Sequence, residues 1–442
     1  MRFSASRRDP VSIPRLRSDF NGRVIAPGDS GYDEARAVFY GSFDRRPAVI
    51  IRPTGAPEVA KVVSLARETG RELAVRSGGH SLAGHGVSQG GIVLDLSEMK
   101  ALDLDTDHHT AWAETGLTTG EYTTAVGAHG LATGFGDTGS VGIGGLTLGG
   151  GIGFLVRKYG LTIDDLLAAE LVTADGRLLR VDAENHPDLF WAIRGGGGNF
   201  GVATRLQFRL HPVDTIVGGM LLLPATPDVI GSFVAAAQAA PEELSAIANI
   251  MPAPPIPPFP SEHHGRLVVM GLLAYAGDLE AGERAMAPFR ALAAPIADLI
   301  RPMRYPEIYQ RTQGGPRPAQ EAARSMFLDA VDRRPVETIV EHLQAATAPL
   351  AVAQLRALGG AMARVPAEAT AFAHRARPVM AAIGAVWERP EEAAVHEAWV
   401  TGFAAALRQG DAGVYVGFLG DEGDARIREA YPGSTWNRLV AV

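Results

Sequence analysis

Three glycine-dense stretches carry the chemistry this sequence announces. The first is RSGGHS at 76–81, where a short apolar run, ELAVR, delivers the chain into Ser-Gly-Gly and then His80. Small residues let consecutive backbone N–H groups point at one spot, which makes a nest for an anion such as a pyrophosphate. A histidine placed there suits a metal ligand, a base, a covalent anchor or simply a surface loop. The second stretch, GFGDTGSVGIGGLTLGGGIG at 134–153, permits close backbone approach to a flat or phosphorylated ligand. The third, RGGGGNFGVAT at 194–204, has the same character; read alone it is a turn between a helix and a strand. Three such clusters in one half of a chain are poorly explained as three independent turns.

Two familiar nucleotide signatures are missing. Gly149 to Gly153 superficially resemble a dinucleotide fingerprint, but no apolar strand leads in and RKYGLT interrupts any helix that follows. No Gly-Lys-Ser/Thr occurs, so there is no Walker-type phosphate loop. The chain has no cysteine, which removes disulfides, thiolate metal sites and thiol nucleophiles. The pairs His108-His109 and His263-His264 lack the spacing of a metal site, and Asp164-Asp165 reads as a turn feature. No metal is expected.

The elements that must hold these loops are legible. AVIIR (48–52) predicts a buried strand, APEVAKVVSLARETG a helix stopped at Gly70, and ELAVR a second strand. Strands are expected at 92–96 and near 110–114, and a helix near 118–129. LLAAELVTADGRLLRV predicts a hairpin, HPDLFWAIR a short helix and GVATRLQFRL a strand. After Pro212 the texture changes. Alanine-rich helices are predicted at about 227–240, 278–293, 334–347 and 391–408, alternating with the strand-like runs RLVVMGLLAY, AVAQLRAL, PVMAAIGAVW and VYVGFLG. This alternation predicts a sheet with helices on one side. A length of 442 residues suffices for two cores. The predicted boundaries are 1–212, 213–410 and a C-terminal segment, 411–442, that returns to the first unit.

The net charge of −8, with no basic patch, argues against a nucleic-acid partner. No run of 18 apolar residues exists, so no membrane span is expected, and the N-terminal stretch has no apolar core of a secretory leader; the expected location is cytoplasmic.

Taken together, VRSGGHS, GGIVLDLSEMK, TGSVGIGGLTLGGGIGFLVRKYGLTIDDLLAAELVTADG, HPDLFWAIRGGGGNFGVAT and VYVGF resemble, in order, the berberine-bridge-enzyme-like branch of the FAD-linked oxidases, whose fold is shared with vanillyl-alcohol oxidase. The resemblance implies an α+β, two-domain FAD-binding fold whose substrate domain is an antiparallel sheet covered by helices. It implies FAD bonded covalently to His80. The second, cysteinyl bond of many members falls at Thr138, so a single link is expected. Val141 takes the position of a gate beside the flavin and, being small, favours access of O2. The flavin contacts implied are Arg76, Ser77, Gly78, Gly79, Ser81, Thr138, Val141, Gly142, Gly144, Gly145, Gly149, Gly198, Asn199, Gly201 and Val202, besides His80. Tyr415 is the candidate catalytic base, with Arg375 or Arg377 as cations that could lower its pKa, and His374 as a further pocket residue. Ile152 and Gly417 stand where the family often has tyrosine and asparagine. The implied reaction is hydride transfer from a small alcohol, sugar, amine or secondary-metabolite intermediate, with O2 as acceptor. The alternatives are a dehydrogenase with another acceptor or a flavin-binding protein without turnover.

Overall fold

The computed structural model describes residues 12–312, 319–410 and 413–442. Its N-terminal half holds two larger sheets and a two-stranded one, Leu131–Ala132 with His211–Pro212. The first is four-stranded, in the order Arg23–Ile25, Val49–Arg52, Ile92–Asp95, Leu73–Arg76, and only the outer pair is antiparallel. The helix Ala56–Thr69 makes the crossover. Its buried Val59, Val62, Val63 and Ala66 recur at helical spacing, and Gly70 ends it in a left-handed cap at φ 61°. The second sheet is antiparallel, in the order Leu102–Asp105, Thr110–Glu114, Val202–Arg209, Leu166–Val172, Leu178–Asp182.

The C-terminal half is built on one eight-stranded antiparallel sheet. Its path runs Ala297–Asp298, Thr215–Pro224, Leu267–Tyr275, Leu244–Pro252, Leu350–Ala357, Val379–Trp387, Gln320–Leu328, with Arg301–Arg304 added beside Thr215–Pro224. One face is dry. Alternate strand residues such as Leu221, Ala248, Leu273, Ala353 and Ile383 pack there against the helices Pro227–Ala239, Leu279–Arg290, Arg333–Gln344 and Ala393–Leu407. The opposite face looks toward the glycine loops. There Phe327 and Met380 meet Ile152, Val156 and Ile163, while Ile247 meets Phe154 and Leu155.

One expected strand is not a strand. VYVGFLG forms a single 3-10 turn, Val416–Phe418, and pairs with no sheet. Its hydrogen bonds are local: Phe418 N–H donates to Tyr415 O and Leu419 N–H to Val416 O. Gly417 packs against Gly149, an approach that a sheet neighbour would block. Conversely, Leu244–Pro252 is a strand that periodicity does not reveal, because nearly every position is buried and LSAIANIMP shows no alternation.

The C-terminal helix Ser434–Ala441 lies back on the N-terminal half. Arg438 sits 3.9 Å above the Trp191 ring and pairs with Asp188 at 3.0 Å.

Candidate active site

The glycine clusters converge. A Cβ on Gly78 would lie 2.2 Å from Gly142 N, and one on Gly142 would lie 2.3 Å from Gly78 N, so these two loops touch backbone to backbone. No side chain fits there, which explains the residue type at both positions. Ser77 Oγ donates to Thr115 O and faces the same junction, and Gly144 stacks on Thr115 and Ser77. The third cluster is tied to the second, because Gly195 N–H and Gly197 N–H both donate to Leu148 O at 3.0 Å. Gly149 and Gly150 then lie against Gly417, Phe372 and Tyr415.

His80 stands at the mouth of this junction, half-exposed. Its ring stacks on Phe39 with centroids 4.0 Å apart, meets Tyr40 edge-on at 6.5 Å, and places Nε2 3.2 Å from Ser140 Oγ. Ser140 comes from the second glycine loop, so His80 is positioned by both walls. Ser81 Oγ accepts N–H groups of Ala83 and His85 and shapes the turn that follows. Thr138 Oγ1 donates to Asp137, and Val141 is half-exposed, with its carbonyl accepting from Thr119. Gly145 and Gly198 have nothing within 4 Å of a would-be Cβ, and Asn199 Nδ2 closes its loop onto Gly196 O.

Three of the expected contact residues also have structural roles. The Arg76 guanidinium is buried and committed to Asp95 Oδ2 at 2.9 Å and to the carbonyls of Ala35 and Ala37. Asp95 also binds Arg52, at 2.8 Å, and these two guanidinium groups hold its carboxyl below the usual range against the effect of burial. Gly201 is small because a Cβ would lie 2.7 Å from Val172 O. Val202 packs in the core with Val49 and Ile51. All three fix the strands that present the loops.

Across the junction stands Tyr415, buried, its Oη accepting Gly151 N–H at 3.0 Å. Burial pushes its pKa up to about 12, while that N–H and the charge of Arg356 act the other way. The cation near Tyr415 is therefore Arg356, and neither Arg375 nor Arg377 fills that role. Arg375 makes a bidentate pair with Asp164, both contacts 2.7 Å, and Arg377 pairs with Asp329. His374 is turned away from Tyr415; its Nε2–H donates to Glu429 O at 2.9 Å, and its ring lies against Phe327. Asp164 and Asp165 are turn residues as expected, and Asp165 holds His211 at 2.7 Å.

Sequence reasoning missed the polar wall contributed by the sheet. Arg356 Nη2 binds Asp137 Oδ2 at 2.6 Å and Arg356 Nε donates to Gln354; Gln354 donates to Asn249, which donates to Met270 O. Gln354 and Arg356 are two apart on one strand, a period-two polar pair inside AVAQLRAL that signals a wetted sheet face. Phe39, Tyr40 and Ser140 carry no such signal.

The N–H groups of Gly78 and Gly79 donate no hydrogen bond among the described residues, although their loop is only partly exposed. A cradle with unused donors, two glycines that admit no side chain and a histidine at its rim fits a phosphorylated flavin.

Residues 47–182 match the FAD binding domain family. The chain is 35% identical over 308 residues to (R)-6-hydroxynicotine oxidase of Paenarthrobacter nicotinovorans, covering 69% of this chain and 64% of that protein. It thus spans less than two thirds of that relative's length. It is 28% identical to the FAD-linked oxidoreductase YgaK of Bacillus subtilis, over 96% of this chain and 94% of that one. The crystal structure of 6-hydroxy-D-nicotine oxidase from Arthrobacter nicotinovorans superposes with a TM-score of 0.86 at 26% identity, covering 96% and 94% of the two chains. Glycine cradle, helix-backed sheet and sequence agree: the chain carries an FAD binding domain, and the proteins it is similar to are FAD-linked oxidoreductases, among them the berberine bridge enzyme-like C-1 of Nicotiana tabacum, 41% identical over 39% of this chain and 32% of that one.

Proposed function

We propose that this protein is an FAD-dependent oxidase that carries its flavin on His80 through one covalent bond and oxidises a small alcohol, sugar or amine, passing the electrons to O2 to give hydrogen peroxide. The observation that carries this reading is the placement of His80, held between Phe39 and Ser140 where two glycine loops touch, with Tyr415 across the junction. Ser77, Gly78, Gly79, Ser81, Thr138, Val141, Gly142, Gly144, Gly145, Gly149, Gly198 and Asn199 form the cradle. When bound, FAD supplies a hydride acceptor, which no side chain of this chain offers.

The chain's own part is orientation and proton handling. Stacking on Phe39 and the hydrogen bond with Ser140 fix the His80 ring, so that one imidazole nitrogen faces a constant direction. Tyr415 starts protonated at neutral pH, because burial places its pKa near 12. It therefore serves mainly as a hydrogen-bonding group for the substrate, and it accepts the substrate's O–H or N–H proton only in the minor fraction that is phenolate, becoming the neutral phenol as the substrate C–H bond breaks. Arg356, fixed by Asp137, favours that phenolate with its positive charge. Val141, small and half-exposed, is the residue expected to admit O2 beside the flavin.

Tyr415→Phe keeps the ring's packing and removes the proton acceptor. Its expected effect is a fall in kcat of about 10²- to 10⁴-fold with flavin content unchanged. Peroxide production measured on a panel of amines, alcohols and sugars checks this; undiminished turnover in the variant rules out Tyr415 as the acceptor.

A further inference from the structure

The sheet face opposite the glycine loops holds one carboxyl that the reaction above does not use. Glu321 lies on the edge strand Gln320–Leu328, and the register fixes its direction. Phe327, six residues on, packs at the seam with Met380, whereas Met326 and Leu328 belong to the helix-backed core. Alternation then puts Glu321, Ala323, Ser325 and Phe327 on the seam side. The ladder rows give the neighbours: Glu321 aligns with Val386 and Leu350, Ala323 with Gly384 and Val352, and Ser325 with Ala382, Gln354 and Asn249.

These rows describe a hollow. Its floor is small: Ala323, Gly384 and Ala382. A Cβ on Gly384 would touch only its own sheet, Val352 Cγ1 at 3.5 Å and Ala322 O at 3.9 Å, so no described residue of the glycine-loop half comes within 4 Å of that point. Leu350 and Val352 give it an apolar flank, Gln354 and Asn249 a polar one, and Glu321 closes the end. Glu321 and Asp137 both act electrostatically on Tyr40, whose ring meets His80.

Glu321 is peculiar in having no partner. Among the described residues it makes no hydrogen bond and no ion pair, in a chain where enclosed carboxylates such as Asp95, Asp164 and Asp165 are all paired. Burial alone pushes its pKa up to about 7. An enclosed carboxyl without a cation is costly to keep, and a ligand that brings the cation removes the cost.

We propose that Glu321 is a specificity-determining residue of this site, binding a protonated amine nitrogen of the substrate while the hollow beside it takes the apolar body. This rests on the reading that a flavin sits at His80, and it narrows the substrate class to molecules with a compact apolar group whose protonated amine lies apart from the bond being oxidised. Because Glu321 is separated along the sheet from the row that carries Arg356 and Phe327, it acts in binding rather than in proton transfer at Tyr415. Its loss is expected to weaken binding of the charged amine.

The test uses the full-length, flavin-loaded protein and follows the visible flavin spectrum during titration with benzylamine and with benzyl alcohol, which differ in the charged nitrogen. The wild type is expected to bind benzylamine at least tenfold more tightly than benzyl alcohol. Glu321→Gln, which preserves shape, is expected to abolish that preference without altering flavin content, and Glu321→Asp to retain part of it. A preference that survives in Glu321→Gln, or a flavin-loaded wild type that binds benzylamine no better than benzyl alcohol, overturns the proposal. Protein that holds no flavin defeats the functional reading itself, an outcome separable from the first because flavin content is measured before any ligand is added.

Discussion

The two halves of this molecule make their contributions to the site by opposite means. In the N-terminal half the work is done by backbone: Gly78 against Gly142, Leu148 O receiving two glycine N–H groups, and unused donors at Gly78 and Gly79. In the C-terminal half it is done by side chains on one sheet face: Asn249, Gln354, Arg356 and Glu321. The first kind of surface recognises what nearly any flavin enzyme of this type must hold. The second is free to vary strand position by strand position, so on the proposed reading it is where substrate choice is sought. The comparison also says how each half fails. The loop half is sensitive to volume, the sheet half to charge.

The largest effect is expected where volume is added. Gly78→Val places a branched side chain where even a Cβ lies 2.2 Å from Gly142 N, so the two loops must part. The expected outcome is protein that folds but incorporates no flavin, read as absorbance near 450 nm per mole of protein. Normal incorporation in this variant means that the loop contact does not build the cradle.

A middling effect is expected where charge is removed. Arg356→Met takes a buried cation from Asp137 and leaves that carboxylate enclosed without its partner. The cost is about 3 kcal/mol of stability, at the low end for breaking a buried pair because Asp137 is 17% exposed. A urea midpoint moved by less than about a third of that would show that solvent already serves Asp137.

The smallest effect concerns pH and sharpens the comparison at the seam between the halves. Burial lowers the His374 pKa to about 4, from 6.5 in the unfolded chain. The unfolded chain therefore takes up the proton first. The stability His374 contributes is complete above pH 6.5 and is lost as the pH falls toward 4. At about 1.4 kcal/mol per unit the loss reaches roughly 2 kcal/mol by pH 5. Urea unfolding at pH 7 and pH 5 measures it, and His374→Gln is expected to flatten the difference. An equal difference in both proteins assigns it to other groups.

How much of this could be read in advance follows the same division. The strands and helices around the first glycine cluster, the hairpin after it and the helix at Pro187 are local patterns with their own stop signals, and they form as expected. For His80 the hexapeptide alone left a ligand, a base, an anchor and a surface loop open, because its neighbours Phe39 and Ser140 come from distant segments. The structural role of Arg76 was not legible, because the hexapeptide that contains it does not show that Asp95, nineteen residues away, claims its guanidinium in the next strand. Glu321 and Arg356 were passed over for a related reason. A polar residue in a strand gains meaning only from the row it joins, and those rows are assembled from distant segments: Glu321 meets Val386, 65 residues on, and Arg356 meets Ile247, 109 residues back. The VYVGFLG run misled because apolar composition specifies burial but not pairing.

The most direct test of the central claim is acid precipitation of the purified protein followed by examination of the pellet for flavin. The wild type is predicted to give a yellow, fluorescent pellet, and His80→Ala a colourless one. Colour retained in the His80→Ala pellet, or found only in the wild-type supernatant, contradicts covalent attachment through His80.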